Sequence, residues 1–413
     1  VVASSGRGLR PVAAIRGGAV KLYFDDEGFD GQLQRSIGKC DSGMANVGEC
    51  LYIASRITAG DRESWYREWS TFAGGLVEQA EALGSRHRVS ARSRYLRATE
   101  YHRQAFFWHR DDLSCGELRT SYAASRHAFL GALDLFDSSG SATSPGTGSA
   151  TAVDGETPGY LFTPAGDGPF PTILHIGGYD GTAEELYASA PEALSRGWAF
   201  LALDGPGTGR PLYERGVVMR PDWEHVVPGM VDLAVSLPQV DPDRVVLVGR
   251  SFGGCLAPRG ASGDPRLAAL VVDPGQFDMA EPLPCRLGDL WDRVDDPAAE
   301  DQYQSLLVLP GLAALFGPRM VTHGLTSVRA YVGDLRRYNS RDQAPLIACP
   351  TFVADNETDP VSTGQGQELF DALSCPKEFR RFGRDEGAEG HCEGLAPTVF
   401  WSAAFDWLAD TLR

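Results

Sequence analysis

The residues best suited to chemistry are a serine framed by glycines, Gly249-Arg250-Ser251-Phe252-Gly253-Gly254. Four apolar β-formers at 245–248 run directly into this segment, and the helix-compatible residues 255–257 follow it. A strand, a sharp turn and a helix in this order are typical of a nucleophile elbow, which lifts a serine hydroxyl above a sheet edge. The strained turn needs residues without bulk around the serine, and the start of a helix favours negative charge there. We therefore predict that Ser251 is a nucleophile; the alternative is a glycine-rich structural turn.

A serine nucleophile requires a base, and the base requires a carboxylate that orients it. In folds built around such an elbow the three residues follow the chain order Ser, Asp, His. His391 lies in a glycine-rich loop and is the only histidine after the last predicted strand. We predict that it is the base. Asp359, beyond the penultimate predicted strand, is predicted to orient it, with Asp355 and Glu357 as alternatives.

The developing negative charge on an attacked carbonyl oxygen requires two N–H donors. One is expected from Phe252, the residue after the nucleophile. The other is expected from the loop that follows the predicted strand at 172–176, at Gly178 or Tyr179. That loop only loosely matches the glycine-rich oxyanion loops of lipases and esterases.

Three carboxylates, Asp180, Glu184 and Glu185, follow the predicted oxyanion loop. One of them could act as an additional acid or base, or could bind a polar group of a substrate. The alternative is that they interact favourably with the dipole of the helix that begins there.

The elements that must position these residues divide the chain into parts. Residues 1–136 are predicted to form a helical cap domain, and the Ser-, Gly-, Thr- and Pro-rich residues 137–158 a flexible linker. Residues 159–413 alternate between strands and helices, which predicts an α/β catalytic domain with a mostly parallel sheet covered on both faces. Residues 280–345 interrupt that alternation and are predicted to form a helical lid above the strand ends, where active sites open.

The composition limits the partners and the compartment. A net charge of −17 argues against nucleic acid and anionic membranes, because both would repel the chain. No apolar run is long enough for a membrane span, and no signal peptide is expected. Eight cysteines without CxxC pairs favour reduced thiols in a cytoplasm over disulfides or a zinc site. The glycines of 205–209 lack the spacing of a dinucleotide site. We predict no metal and no cofactor, and a small molecule as the partner.

Several segments together carry a family resemblance. The chain resembles the α/β-hydrolase branch that includes 2,6-dihydroxypseudooxynicotine hydrolase and the fungal polyketide chain-shortening hydrolases. In the second half of the chain the matching segments are ILHIGGYDGTAEELY, LALDGPGTG, VDPDRVVLVGRSFGG, VVDPGQFD and GAEGHCEG. In the helical part they are FDD, WYREW and RYLRATEYHRQAFF.

The resemblance implies an α/β-hydrolase fold, a Ser251–Asp359–His391 triad, an N-terminal helical cap and often a homodimer. It also implies hydrolysis of a carbon–carbon bond next to a ketone, in a β-dicarbonyl or aryl ketone such as a polyketide-like secondary metabolite. The nicotine-pathway member is associated with an additional active-site glutamate, for which residues 180–185 offer the candidates here. Two alternatives remain open: an esterase, lactonase or amidase with the same triad, and a non-hydrolytic cyclase or binding protein.

Overall fold

The computed structural model describes residues 20–136, 148–359 and 361–412. Residues 20–136, here called the helical module, are helical as predicted. Trp65, Trp69 and Tyr101 are fully buried between its two long helices and fill its core. The α-helices of the module are α1 (Glu27–Ile37), α2 (Val47–Ala54), α3 (Arg62–Leu83), α4 (Arg88–Phe106) and α5 (Gly116–Leu133).

Polar residues set the starts of the first three helices. The side chains of Asp26, Asn46 and Asp61 each accept a hydrogen bond from a backbone N–H in the first turn that follows. Such N-caps satisfy donors that have no partner inside the helix.

An eight-stranded sheet forms the centre of the remaining described residues, in the order β1-β2-β4-β3-β5-β6-β7-β8. Only the β1–β2 and β2–β4 pairs are antiparallel, which confirms the predicted mostly parallel sheet. The strands are β1 (Ala150–Val153), β2 (Gly159–Phe162), β3 (Phe170–Ile176), β4 (Ala199–Leu203), β5 (Val240–Arg250), β6 (Ala269–Asp273), β7 (Thr351–Asn356) and β8 (Lys377–Phe382).

The sheet is covered on both faces because successive strand residues are apolar. In β5, Val245 and Leu247 join one core, and Val246 and Val248 join the opposite core. Helix α5 contributes Phe129 to the second core, so the helical module packs directly on the sheet. The other helices around the sheet are α6 (Ala183–Leu186), α7 (Ala190–Leu194), α8 (Gly209–Arg215), α9 (Val227–Ser236), α10 (Gly253–Ser262), α15 (Gln365–Ala372) and α16 (Pro397–Thr411).

A helical insertion between β6 and β7, here called the lid, has a small core of its own around Tyr303 and Val332. Residues 280–345 are thus mainly helical, and their role as a lid stays a prediction. The helices of the lid are α11 (Leu283–Leu287), α12 (Glu300–Gln304), α13 (Pro310–Thr322) and α14 (Val328–Asp334).

The lid also contains a bent pair of apolar helices that can be compared with the requirements for a membrane span. In the described part of the chain, no single helix combines the length and apolar character needed to cross a bilayer. Pro297–Val308 and Pro310–Thr322 meet those criteria only when taken together, across a bend of 118°.

The predicted flexible linker needs correction. Residues 137–147 lie outside the described residues, but 150–153 form β1 and pair in register with β2. The sequence did not predict this strand because its residues, Ala-Thr-Ala-Val, are small. An edge strand with little surface to bury needs no large apolar side chains. The sheet therefore begins before residue 159.

Candidate active site

The structure joins the three predicted triad residues in one hydrogen-bonded chain. Nε2 of His391 lies 2.8 Å from Oγ of Ser251, and its Nδ1 lies 2.8 Å from Oδ2 of Asp359. An ionised carboxylate can only accept, so Nδ1 of a neutral imidazole carries the proton and Nε2 is free to accept from the serine hydroxyl. The arrangement suits proton transfer away from Ser251.

The elbow is built as its glycines predict. Strand β5 ends at Arg250, α10 begins at Gly253, and Ser251 between them has a φ of 58°. A Cβ on Gly249 would lie 2.2 Å from the carbonyl oxygen of Gly253, and one on Gly254 would lie 2.0 Å from that of Pro274. Both contacts are far too short, so these positions require glycine.

Backbone strain is concentrated at both ends of the proton-transfer path. Among the described residues, a positive φ at a residue other than glycine occurs at Ser251, Cys392 and Glu393. The last two directly follow the predicted base. Such conformations cost about 1–3 kcal/mol each and persist only where the surroundings enforce them.

A buried polar network enforces the conformation of the His391 loop, and sequence reasoning missed it. The Arg250 guanidinium donates to Asp273, with Nε 2.6 Å from Oδ2, and to the carbonyl oxygen of Cys392. The amide of Asn356 donates to the loop and to Glu393 Oε1, at 3.3 Å. Burial and the neighbouring Asp273 carboxylate raise the pKa of Glu393 well above its ordinary value. The network ties the loop to the ends of β5, β6 and β7.

The structure separates the three acidic candidates for orienting the base. Asp355 is paired with Arg381, with 2.8 Å between carboxylate oxygen and guanidinium nitrogen, and Glu357 is exposed. Asp359 alone of the three contacts His391, and its carboxylate also accepts from the Ser362 hydroxyl. This geometry favours Asp359 over the other two, and its role as the residue that orients the base stays a prediction.

The opposite charges of His391 and Asp359 shift the pKa values of both residues. Burial raises the pKa of Asp359, but the charge and hydrogen bond of His391 outweigh it and hold that pKa below the ordinary value. Burial lowers the pKa of His391, but Cys392 and Asp359 outweigh it and raise that pKa above the ordinary value. The imidazole is therefore a stronger base than a free histidine.

The predicted oxyanion loop lies against the elbow. A Cβ on Gly178 would lie 2.7 Å from the backbone nitrogen of Phe252 and 2.8 Å from Oγ of Ser251. Both contacts are too short for a real side chain, so the close approach of this loop to the elbow requires glycine at 178. The next residue, Tyr179, stacks on the Phe252 ring, with centroids 4.0 Å apart and planes at 11°.

Two of the carboxylates that follow this loop pair with the helical module instead of remaining free. Oε2 of Glu185 lies 2.7 Å from Nη2 of Arg35, and Oε1 lies 2.5 Å from Nζ of Lys39. Asp180 pairs with Arg110. Burial raises the pKa of both acids, but the surrounding cations outweigh it and hold both pKa values well below the ordinary range.

The third carboxylate, Glu184, is buried and accepts a hydrogen bond of 2.6 Å from the Tyr160 hydroxyl. Two of the three acids thus form ion pairs with the helical module, and the third accepts a buried hydrogen bond. All three carboxylates therefore have partners within the protein, and a role for Asp180, Glu184 or Glu185 as an additional acid or base or as a ligand of the substrate stays a prediction.

One cluster of possible metal ligands lies in the helical module. Ligand atoms of His109, Cys115 and Glu117 lie within 4.8 Å of one another. The Cys115 thiol already donates to Glu117, with Sγ 3.1 Å from Oε2. None of the triad residues belongs to this cluster.

Comparisons with known proteins agree with this architecture. The family described as "Alpha/beta hydrolase family" matches residues 173–403, and the family described as "Esterase FrsA-like" matches residues 57–273. The second match begins in the helical module and runs past the elbow, so it treats the two parts as one unit.

Fungal proteins are among the relatives in sequence. Hydrolase acrC of Aspergillus aculeatus is 31% identical over 429 residues, which cover 94% of this chain and 97% of the relative. The 20-hydroxy-prefusarin hydrolase FUS2 of Gibberella moniliformis is 36% identical over 270 residues, covering 62% of this chain and 63% of the relative.

A solved structure shares the fold. The crystal structure of the 2,6-dihydroxy-pseudo-oxynicotine hydrolase superposes with a TM-score of 0.68 at 22% identity. It covers 91% of this chain and 95% of its own, so the similarity includes the helical module as well as the sheet.

Proposed function

This chain belongs to the α/β-hydrolase family, and we propose that it is a serine hydrolase that cleaves a carbon–carbon bond next to a ketone. Its substrate in this proposal is a small β-dicarbonyl or aryl ketone, such as a polyketide-like secondary metabolite. The observation that carries the proposal is the continuous hydrogen-bonded path from Asp359 through His391 to Ser251.

In the first step, His391 Nε2 takes the hydroxyl proton of Ser251 as Oγ attacks the carbonyl carbon of the ketone. The buried carboxylate of Asp359 stabilises the imidazolium that forms. The carbonyl oxygen becomes an oxyanion in the space beside Gly178, where the N–H of Phe252 and an N–H of Gly178 or Tyr179 donate to it.

In the second step the tetrahedral intermediate collapses and the carbon–carbon bond breaks. Its electron pair enters the neighbouring carbonyl as an enolate, which is why the substrate needs a second carbonyl or an equivalent acceptor. The enolate takes a proton from the imidazolium of His391 and leaves as a ketone.

In the third step, His391 removes a proton from water, and the hydroxide attacks the acyl group on Ser251. Collapse returns the proton to Oγ and releases a carboxylic acid. One water molecule is consumed, and the triad returns to its starting state.

The names of two similar proteins support a small organic metabolite as the substrate of a hydrolase. The first is the FUS2 relative, which is named for hydrolysing 20-hydroxy-prefusarin. The second is the structural neighbour, which is named for 2,6-dihydroxy-pseudo-oxynicotine.

A second candidate is an esterase with the same triad, favoured by the match to the "Esterase FrsA-like" family over 57–273. Attack on an ester needs the same nucleophile, base and oxyanion donors, and differs in its leaving group. An alkoxide leaves more readily than an enolate, so the two candidates differ in which substrates turn over.

The test compares the wild-type chain with Ser251→Ala on benzoylacetone and on p-nitrophenyl butyrate. We expect the wild type to release a ketone and a carboxylic acid from the diketone, with kcat/KM at least equal to that for the ester. Ser251→Ala should lose both activities while its circular dichroism spectrum stays unchanged.

Turnover of the ester without turnover of the diketone would replace the proposed reaction by the esterase alternative. Full activity of Ser251→Ala on either substrate would contradict a serine nucleophile altogether.

A further inference from the structure

A second histidine relay lies in the lid, next to the oxyanion loop. Nε2 of His323 lies 2.8 Å from the Tyr179 hydroxyl oxygen, and Nδ1 of the same ring lies 2.8 Å from Oδ2 of Asp334. His323 follows α13 and Asp334 ends α14, so both come from the lid. Tyr179 comes from the loop after β3, and the relay therefore joins the lid to the loop that faces Ser251.

The direction of the hydrogen bonds follows from the acceptor-only carboxylate. Nδ1–H of His323 donates to Asp334, and Nε2 accepts from the Tyr179 hydroxyl. Burial lowers the pKa of His323 and outweighs the opposing effect of Asp334, while Arg319 and Arg337 lower it further. The neutral ring is thus fixed in one tautomer.

Tyr179 transmits this fixation to the predicted oxyanion hole. Its ring stacks on Phe252, and its backbone continues directly from Gly178, which lies over the Ser251 hydroxyl. The next residue, Asp180, is held by Arg110 of the helical module. Two consecutive residues of one loop are therefore held by two different parts of the protein.

We propose that His323, oriented by Asp334, is a positioning residue: it holds Tyr179 and thereby sets the distance between the oxyanion donors and Ser251. The inference rests on the proposed function and deepens it, because it makes the lid part of the machinery that stabilises the oxyanion. The helical module holds the same loop through the ion pair of Arg110 with Asp180.

The hydroxyl of Tyr179 distinguishes positioning from packing. Tyr179→Phe keeps the ring stacked on Phe252 and removes the hydroxyl with its bond to His323 and its longer contact of 3.5 Å with the Tyr331 hydroxyl. His323→Leu removes the acceptor, whereas His323→Gln retains an amide that can accept from Tyr179 and donate to Asp334. Tyr303→Phe is the matched control, because it removes a lid hydroxyl that bonds a carbonyl within the lid, Tyr303 Oη to Leu290 O at 2.7 Å.

The experiment measures kcat and KM on p-nitrophenyl butyrate, and inhibition by an aryl trifluoromethyl ketone, which forms a tetrahedral adduct with a serine. Small displacements of catalytic groups cost up to about 100-fold in rate, so we expect kcat to fall by about tenfold in Tyr179→Phe and His323→Leu. KM should change by less than about twofold, because the loss falls on the transition state. The inhibition constant should rise by the same factor as kcat falls, His323→Gln should recover part of the loss, and Tyr303→Phe should match the wild type.

Two results separate this inference from the proposal beneath it. If Ser251→Ala has wild-type turnover of the ester, the proposed function fails and the inference fails with it. If turnover depends on Ser251 but Tyr179→Phe keeps the wild-type kcat and inhibition constant, the positioning role alone is overturned.

Discussion

The molecule contains two Asp–His–hydroxyl relays whose hydrogen-bond distances are the same. The pKa values of their histidines are shifted in opposite directions. In the first, Asp359, His391 and Ser251 are joined by contacts of 2.8 Å, and the side chain of His391 is 29% exposed. In the second, His323 lies 2.8 Å from both Asp334 and the Tyr179 hydroxyl, and the side chain of His323 is completely buried.

The environments decide what each relay can do. Charge interactions raise the pKa of His391 above its ordinary value despite burial, whereas burial lowers the pKa of His323 despite its aspartate. The ring of His391 can therefore take up a proton during a reaction, and the ring of His323 stays neutral and holds its partner. Equal hydrogen-bond geometry does not imply an equal role.

The largest expected difference in kcat/KM is between alanine substitutions of the two relay histidines. His391→Ala should lower kcat/KM by about 10⁴-fold or more, because no group remains to accept the serine proton. His323→Ala should lower it by about tenfold to 100-fold through displacement of the oxyanion loop. Steady-state kinetics on p-nitrophenyl butyrate measure both, and comparable losses in the two variants would contradict the distinction.

The two aspartates should show the same asymmetry. Asp359→Asn should cost about 10⁴-fold in kcat, because an amide favours the wrong tautomer of the base. Asn has the same shape as Asp, and Asp334 does not belong to the relay that contains Ser251. We therefore expect Asp334→Asn to lower kcat by less than about tenfold. Thermal unfolding followed by circular dichroism provides the control that both variants fold.

Substitution of Gly178, in the loop that lies next to both relays, should lower kcat by an intermediate factor. Gly178→Ala puts a methyl group 2.7 Å from the Phe252 nitrogen and 2.8 Å from the Ser251 oxygen, so the oxyanion loop must move away from the elbow. Loss of one oxyanion donor typically costs about 10²–10³-fold in kcat, and we expect a loss of that order. Gly181→Ala in the same loop is the matched control, because its added carbon would meet nothing closer than 3.8 Å.

The smallest expected effect is a shift of the pH profile. Because Nε2 of His391 must be unprotonated to act as a base, kcat/KM should fall as the pH drops through the raised pKa of this residue. The acid limb should therefore lie above the ordinary histidine value of about 6.5. Asp359→Asn should move the limb to lower pH, whereas Asp334→Asn should leave it in place; a limb that follows Asp334 instead would assign the titration to His323.

Sequence reasoning identified the first relay because local rules constrain it. The glycines around Ser251 predict a tight turn that larger residues would not permit. The chain order Ser, Asp, His then leaves His391 as the candidate base. The position of Asp359 beyond the end of β7 then distinguishes it from Asp355, which lies within the strand and is paired with Arg381. Each of these inferences uses residues that are close in sequence or ordered by the fold.

The second relay and the ion pairs escaped prediction because they depend on tertiary contacts. Tyr179 and His323 are 144 residues apart, and Arg35 and Glu185 are 150 apart. Nothing local indicates that a carboxylate at 185 is already neutralised by a helix near the N-terminus. Strand β1 escaped for a different reason, since its small side chains resemble those of a linker.

The central claim is that His391 makes Ser251 a nucleophile, and active-site labelling tests it most directly. The chain is treated with a fluorophosphonate, and its intact mass and labelled peptide are measured beside those of Ser251→Ala and His391→Ala. We expect one phosphonyl group on Ser251 in the wild type, none in Ser251→Ala, and much slower labelling in His391→Ala. An unlabelled wild type, or equal labelling of all three proteins, would contradict the account.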